Sequence, residues 1–270
     1  MRVAILADIH GNPMALDAVL TEIERRGGVD SYWILGDLCA IGFDPAGVLD
    51  RLSTLSSALY VQGNADRYVT SGDLPDPSFE QVKADPTLIP LLVEVVGSFN
   101  WTKGYLEGRG LLGWLTALPT QQRLTLPDGT RVLLVHSTPS SDEGHGLNPA
   151  LSDDELRAEV EGCGADLICV GHFHLPMDRR LDGIRVINPG PVSNNFAPDL
   201  RAAYAILEAD ADGYQIRFHR VEYDIEAAKA ATLCSGNPGA GYILRFFNGE
   251  VRASWMQRWD GVSHNVMTDV

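Results

Sequence analysis

The chain has 270 residues, 45% of them hydrophobic and 21% charged, with a mean hydropathy of −0.04 and no apolar run near the ~20 residues of a bilayer span, which excludes disorder and membrane insertion. Lysine and arginine number 21 against 36 aspartates and glutamates, a net charge of −15, so duplex nucleic acid would meet a field of its own sign. The length suits one large α/β domain with an insertion better than two full domains.

The first predicted element is a strand over 3–7, which stops at Asp8 and is too short for the ~7 to 15 apolar residues of a signal-peptide core. Cys39, Cys163, Cys169 and Cys234 lack C-x-x-C spacing and suggest no disulfide framework, so the cytoplasm is the expected location. Asn12 as N-cap and Pro13 at the first helical position open a helix, with Leu16, Val19, Leu20 and Ile23 at helical spacing and Gly27 and Gly28 at its end. A strand over 32–35 follows. Asp44 and Pro45 then open a second helix carrying Val48, Leu52 and Leu55, and 59–61 forms a third strand. Such short connections imply parallel strands with right-handed crossovers.

From 67 to about 120 the pattern changes to prolines (75, 77, 86, 90, 119) around two helix-like stretches, 88–96 and 102–118, read as a helical, cap-like insertion. Its aromatic residues Tyr68, Phe79, Phe99, Trp101, Tyr105 and Trp114 suit either a lid over a nucleobase or a small helical core. A hairpin is predicted from 123–126 and 131–135 around Asp128-Gly129, then a helix from the Ser152/Glu155 capping box to Gly162. Strands follow at 167–170, at 184–187 after the Asp182-Gly183 turn, and at 203–207 and 214–221 around Asp212-Gly213. A parallel first half and a hairpin-rich second half make an α/β fold with one mixed sheet, or two stacked ones, and helices outside. The main domain is therefore expected over 1–222 and a helical tail over 223–270, in which Trp255 and Trp259 at i, i+4 suit docking on the domain or on a second copy in a homo-oligomer.

The chemistry sits where the apolar runs stop. VAILADIH, YWILGD, LYVQGN, VLLVH and LICVGHFH each end in potential metal ligands, together Asp8, His10, Asp37, Asn64, His136, His172 and His174. Sites in α/β sheets form at carboxyl ends of strands, and an extended i, i+2 spacing would put Asp8 with His10, and His172 with His174, on one face. A buried cluster of carboxylates and imidazoles is costly unless a cation or a pairing network compensates it, and a metal is the economical explanation. Asp, Asn and His without Cys suit Mn, Fe, Zn, Co or Ni. Seven donors exceed one tetrahedral zinc and suit two metals ~3.5 to 4 Å apart that share a carboxylate, clamp a phosphate and ready a bridging hydroxide for in-line attack.

The ordered segments DIHGN, GDLCAIGFDP, GNAD, VHSTP, GHFH and INPG resemble the calcineurin-like metallophosphoesterase superfamily, and the opening MRVAILADIHGNPMALDAVL and the INPGPVSNNFAPDLRAAYAIL stretch resemble its small bacterial and archaeal phosphodiesterase-like branch. The likeness covers roughly 1–222. It implies two stacked mixed sheets flanked by helices, with Asp8, His10 and His174 on one metal, Asn64, His136 and His172 on another, and Asp37 bridging. It also implies hydroxide as nucleophile without a covalent phosphoenzyme, with Asp37, Asn64 and His136 as the residues expected to carry catalysis. Mn or Fe are the favoured ions.

Two positions depart from the pattern. Many relatives carry a histidine after the glycine-asparagine pair where this chain has Ala65, and a glycine after the strand-end histidine where it has Ser137. Without a proton donor at 65, phosphodiesters or activated esters should be preferred over alkyl monoesters. Arg67 is a candidate substrate-binding residue for phosphate oxygens, or else a surface partner of Asp66. His145 is either a substrate contact or a solvated loop residue, and Cys39 a packing residue. The expected function is a dinuclear phosphoesterase, most simply a phosphodiesterase on a small or nucleotide-like phosphoester. The alternatives are a phosphoprotein phosphatase or dinucleoside polyphosphate hydrolase and, from another class, a non-catalytic protein-binding scaffold.

Overall fold

The computed structural model describes residues 1–251. In chain order the first half comprises β1 (Arg2–Leu6), α1 (Pro13–Arg25), β2 (Ser31–Ile34), α2 (Pro45–Ser53), β3 (Ala58–Tyr60), α3 (Asn64–Ser71), α4 (Phe79–Ala84), α5 (Ile89–Glu107) and α6 (Leu112–Thr116). The second comprises β4 (Gln121–Thr125), β5 (Arg131–Val135), α7 (Asp153–Val160), β6 (Leu167–Cys169), β7 (Met177–Leu181), β8 (Ile184–Asn188), β9 (Ala202–Asp210), β10 (Gly213–Val221), α8 (Ile225–Cys234) and α9 (Ala240–Phe247). These strands make two mixed five-stranded sheets, β10-β9-β1-β2-β3 and β4-β5-β6-β8-β7. In the first, β1, β2 and β3 are parallel; in the second, β5, β6 and β8 are.

Side chains alternate between the faces of a strand, and here both faces are covered, which is why the strands read as continuous apolar runs. Val3, Ile5, Trp33 and Leu35 meet Val132, Leu134, Leu167 and Ile187 between the sheets. The intervening Ala4, Leu6 and Ile34 face Leu16, Val19 and Leu52 of α1 and α2. Leu133 and Ile168 turn the other way, onto Leu156 and Val160 of α7. The α/β sandwich of two stacked sheets flanked by helices is thus the observed fold.

Local chemistry sets the helix starts. Asn12 accepts from the Ala15 amide at 3.0 Å and Asp44 from Gly47 at 2.9 Å, each followed by proline at the first helical position. Three local expectations differ from the structure. The helix-like stretches 88–96 and 102–118 are instead one helix, α5, running through Gly97, followed by the short α6. Gly97 is no break: a Cβ there would lie 3.1 Å from Cγ of Pro238, so the missing side chain lets another segment close onto the helix. The edge strand β7 has the sequence MDRRL, too polar to signal a strand, and pairs antiparallel with β8. Helices α3 and α4 are short; α3 has only Ala65 and Val69 as buried apolar residues, and α4 buries none.

Among the residues after 222, Ala228 of α8 and Ile243 and Phe247 of α9 pack with Phe43 in a small buried cluster. Trp255 and Trp259 lie outside the described residues. No described helix is long and apolar enough to cross a membrane.

Candidate metal centre

The donor-bearing strands do not simply continue beyond their last ladder bond. Asp8, His10, Asp37, His172 and His174 all adopt positive φ, between 49° and 68°, a conformation costing about 1 to 3 kcal/mol for a non-glycine residue unless the surroundings enforce it. They do: the amides of Ile9 and His10 both donate to the Asp37 carbonyl at 2.9 Å, and that of Asp8 to Gly36 at 3.1 Å. The extended i, i+2 geometry is therefore not what gathers the ligands. Left-handed turns bring Asp8 and His10 together and send His172 and His174 to different partners.

One donor set consists of Asp8, His10, Asp37 and His174, all buried, each offering an atom within 4.8 Å of the others. Nδ1 of His10 donates to the Ala40 carbonyl at 3.0 Å and Nδ1 of His174 to the Asn194 carbonyl at 2.8 Å. A carbonyl only accepts, so both protons are on Nδ1 and both Nε2 atoms present lone pairs. Those lone pairs face each other at 3.0 Å. Oδ2 of Asp8 is buried without a hydrogen-bond partner. Two opposed lone pairs beside an orphaned carboxylate oxygen suit a cation, which relieves both, and these residues fit a divalent metal.

Asn64, His136 and His172 repeat the arrangement. Nδ1 of His136 donates to the Leu35 carbonyl at 2.6 Å and Nε2 of His172 to that of Gly144 at 2.9 Å. The opposite ring nitrogens point at Oδ1 of Asn64, at 3.0 and 2.9 Å. Asp37 stands between the sets, with Oδ2 at 3.7 Å from Nε2 of His10 and Oδ1 at 3.4 Å from Nε2 of His136. A Cβ on Gly63 would overlap Oδ1 of Asp37, so only glycine leaves room for this carboxylate.

Burial dominates the electrostatics of the centre. It pushes Asp8 up and holds His10, His172 and His174 low, favouring neutral imidazoles ready to ligate. Burial also opposes charge on Asp37 and His136, but their mutual attraction prevails: Asp37 lies below the ordinary carboxylate range and His136 is pushed up to about 10. Without a cation, a proton on His136 neutralises the Asp37 carboxylate.

Two supporting residues lie outside the set of donors expected from the sequence. Asp66 is fully buried and accepts from the amides of Asp37, Leu38 and Gly63 at 2.9 to 3.0 Å, pinning the Asp37 turn to the start of α3. Burial and the Asp37 charge push it up to about 7. Its position three residues after Gly63, where an N3 carboxylate reaches back to a helix N-cap, is the signal that could have found it. Asn194, itself left-handed at φ 57°, orients His174 through its carbonyl while its side chain donates to Ile41.

Arg67 pairs neither with Asp66 nor with the open space over the donors. Its guanidinium is engaged by Asp142 at 2.6 Å, Glu143 at 2.5 Å and Asp73 at 2.9 Å. That network ties α3 to the loop whose Gly144 carbonyl orients His172. His145 pairs with Glu159 at 3.0 Å on the surface, and Cys39 is buried as a packing residue. The aromatic residues divide: Tyr68 and Phe99 form an edge-on pair at 5.8 Å, whereas Phe79 is exposed and Trp114 lies edge-on to Tyr60 at 5.3 Å. A cavity of about 630 Å³ opens over the donors; His10, Asp37, Asn64, His172 and His174 form its floor and Tyr68 and Phe99 part of its wall.

Comparison with known proteins places the fold and the family. The chain is 29% identical over 242 residues to the protein MJ0912 of Methanocaldococcus jannaschii, covering 84% of this chain and 89% of that one. It is 35% identical over 101 residues to the probable metallophosphoesterase YsnB of Bacillus subtilis, 37% of this chain and 54% of that one. The crystal structure of a metallophosphoesterase from Sphaerobacter thermophilus superposes with a TM-score of 0.71 at 27% identity, covering 93% of this chain and 99% of that one. The Pyrococcus horikoshii protein PH1004 shares the fold, with a TM-score of 0.75 at 23% identity over 93% and 99% of the two chains. The family profile described as the calcineurin-like phosphoesterase superfamily domain matches residues 1–212, well over half of the chain, and this protein belongs to that superfamily.

Proposed function

We propose that the protein is a dinuclear metal-dependent phosphoesterase, acting as a phosphodiesterase on a small or nucleotide-like substrate. The observation that carries this reading is Asp37, whose two oxygens address two separate donor sets beneath one cavity. Asp8, His10 and His174 would hold one ion and Asn64, His136 and His172 the other, with Asp37 shared; a donor set of nitrogen and oxygen without thiolate is in keeping with Mn or Fe. Ions bound there would act as Lewis acids toward the phosphoryl oxygens and make water a nucleophile at neutral pH. The chain's part is to orient the donors through the carbonyls of Ala40, Asn194, Leu35 and Gly144, and to keep the Asp37 charge in place through Asp66.

The missing proton donor argues for diesters. Ala65 offers its amide to Oδ1 of Asp37 at 2.8 Å and no titratable side chain. The nearby phenol of Tyr68 donates to Glu143 at 2.5 Å, and burial together with that carboxylate holds its proton on. A leaving group that needs no protonation is accordingly favoured. With Mn supplied, an aryl phosphodiester should turn over faster than the matched aryl monoester; a clear monoester preference would reject this part of the reading, and metal content below one ion per chain with no hydrolysis would favour a binding scaffold. The four free cysteines, three of them buried, support a cytoplasmic location.

A further inference from the structure

The walls of the cavity differ in chemistry from its floor. Among the described residues lining it there is no lysine or arginine; Arg67, next to Tyr68 in sequence, is drawn away by three carboxylates, and Arg245, next to Phe246, is not among the lining residues. Asp76 instead places negative charge on the wall, where Glu143 is already paired with Arg67 and Tyr68. The rest is apolar and largely aromatic. Phe196 stacks on the His174 ring at 5.4 Å with 21° between planes, Tyr242 and Phe246 meet edge-on at 5.4 Å, and Leu74 and Pro75 face the same space.

Resting on the phosphodiesterase reading, we propose that this wall selects a substrate with a single phosphate and a flat, apolar substituent, and rejects compounds with further phosphates. A phosphodiester brings one negative charge, which the metal sites would absorb. A second or third phosphate would have to lie along a wall whose described residues supply no cation and beside the Asp76 carboxylate, where like charges repel in a partly desolvated space. A flat ring finds aromatic faces and edges on the same wall. The wall therefore separates a simple nucleotide-like or aryl diester from nucleoside polyphosphates and dinucleoside polyphosphates, which offer the same base but several more charges.

The test holds the leaving group constant among the diesters. Using the full chain with excess Mn, KM and kcat are measured for bis(p-nitrophenyl) phosphate, methyl p-nitrophenyl phosphate and the p-nitrophenyl ester of thymidine 5′-monophosphate, alongside ATP and diadenosine tetraphosphate. KM for the two substrates with a flat second substituent should be about 10-fold below that of the methyl ester, and kcat/KM for the polyphosphates roughly 100-fold below that of the flat diesters. The bis-aryl and thymidine esters distinguish a plain aryl preference from a nucleobase preference. Tyr242→Ala should raise KM for the bis-aryl ester about 10-fold and leave that of the methyl ester within twofold. Leu74→Lys, at a position 37% exposed in a loop, adds the missing cation without opening the core and should narrow the gap between polyphosphate and diester. Equal KM values for methyl and aryl esters, or polyphosphates cleaved as efficiently as diesters, would overturn the inference while leaving the phosphodiesterase reading standing. A panel with no hydrolysis at all would overturn that reading as well.

Discussion

The two donor sets each carry two histidines but differ in their oxygen donor, a carboxylate at Asp8 against an amide at Asn64, and they are anchored differently. Asp8, His10 and His174 are held by turns of the backbone itself: their orienting partners Ala40 and Asn194 lie in buried segments wedged between strand ends. In the other set, His136 is similarly fixed on Leu35, but His172 leans on the Gly144 carbonyl of a surface loop, and that loop is tied down by the salt bridges of Arg67. One set is thus rigid by topology, the other rigid only while an ion-pair network holds. In such a centre the second ion should be the weaker and the more easily tuned.

Removing what the sets share should have the largest effect. Asp37→Asn is expected to lower hydrolysis by about 10³-fold and to cost at least one metal per chain by elemental analysis, since neither set keeps its common carboxylate. Full activity with two ions retained would show that the sets do not depend on one another. Next, Arg67→Ala should weaken the second ion by about 10-fold in a titration while the first stays within twofold. Equal weakening of both ions would mean that the difference in anchoring has no consequence for binding.

The pH dependence of the metal-free protein should also separate the sets. His136 is raised to about 10 against an unfolded value near 6.5, so its contribution to stability is fully present below about 6.5 and is lost as pH rises through 10. His10 and His174 are lowered, so theirs is present above about 6.5 and is lost as pH falls below it. Thermal melts of metal-free protein should therefore lose stability toward both ends. Metal loading at pH 7 should release a proton from His136, read as heats that change with the ionisation enthalpy of the buffer. Heats independent of buffer would contradict that assignment.

The smallest effect is expected at the base of the rigid set. Asn12→Ala removes the cap of α1 and the 2.9 Å bond to Ser193, and should cost about 1 kcal/mol of stability without altering metal content. A loss of metal in that variant would show that the cap also supports the His10 turn.

Much of this centre is legible in the amino-acid sequence. The strands over 3–7 and 32–35 can be read because both of their faces are buried, and an apolar run that stops at Asp or His sets a polar donor at the carboxyl edge of its sheet. The Asn12 and Asp44 caps are legible because capping is local. Asp66 leaves only its local trace at N3 of α3, since its bonds to Asp37 and Leu38 are long-range, and Asn194 leaves none, because it acts on His174 and Ile41 from another segment. Arg67 reads in the sequence as facing either phosphate or Asp66, yet Asp142 and Glu143, some 75 positions along the chain, claim it. Likewise α5 runs through Gly97 because Pro238 fills the space, which nothing near residue 97 announces.

The amino-acid sequence by itself determined the buried strands, the capped helices, the donor types and the strand ends that bear them, because burial and capping act over a few residues. Only the tertiary structure decided which donor meets which. The left-handed turns at Asp8, His10, Asp37, His172 and His174 are unfavourable locally and exist because hydrogen bonds between distant strand ends enforce them.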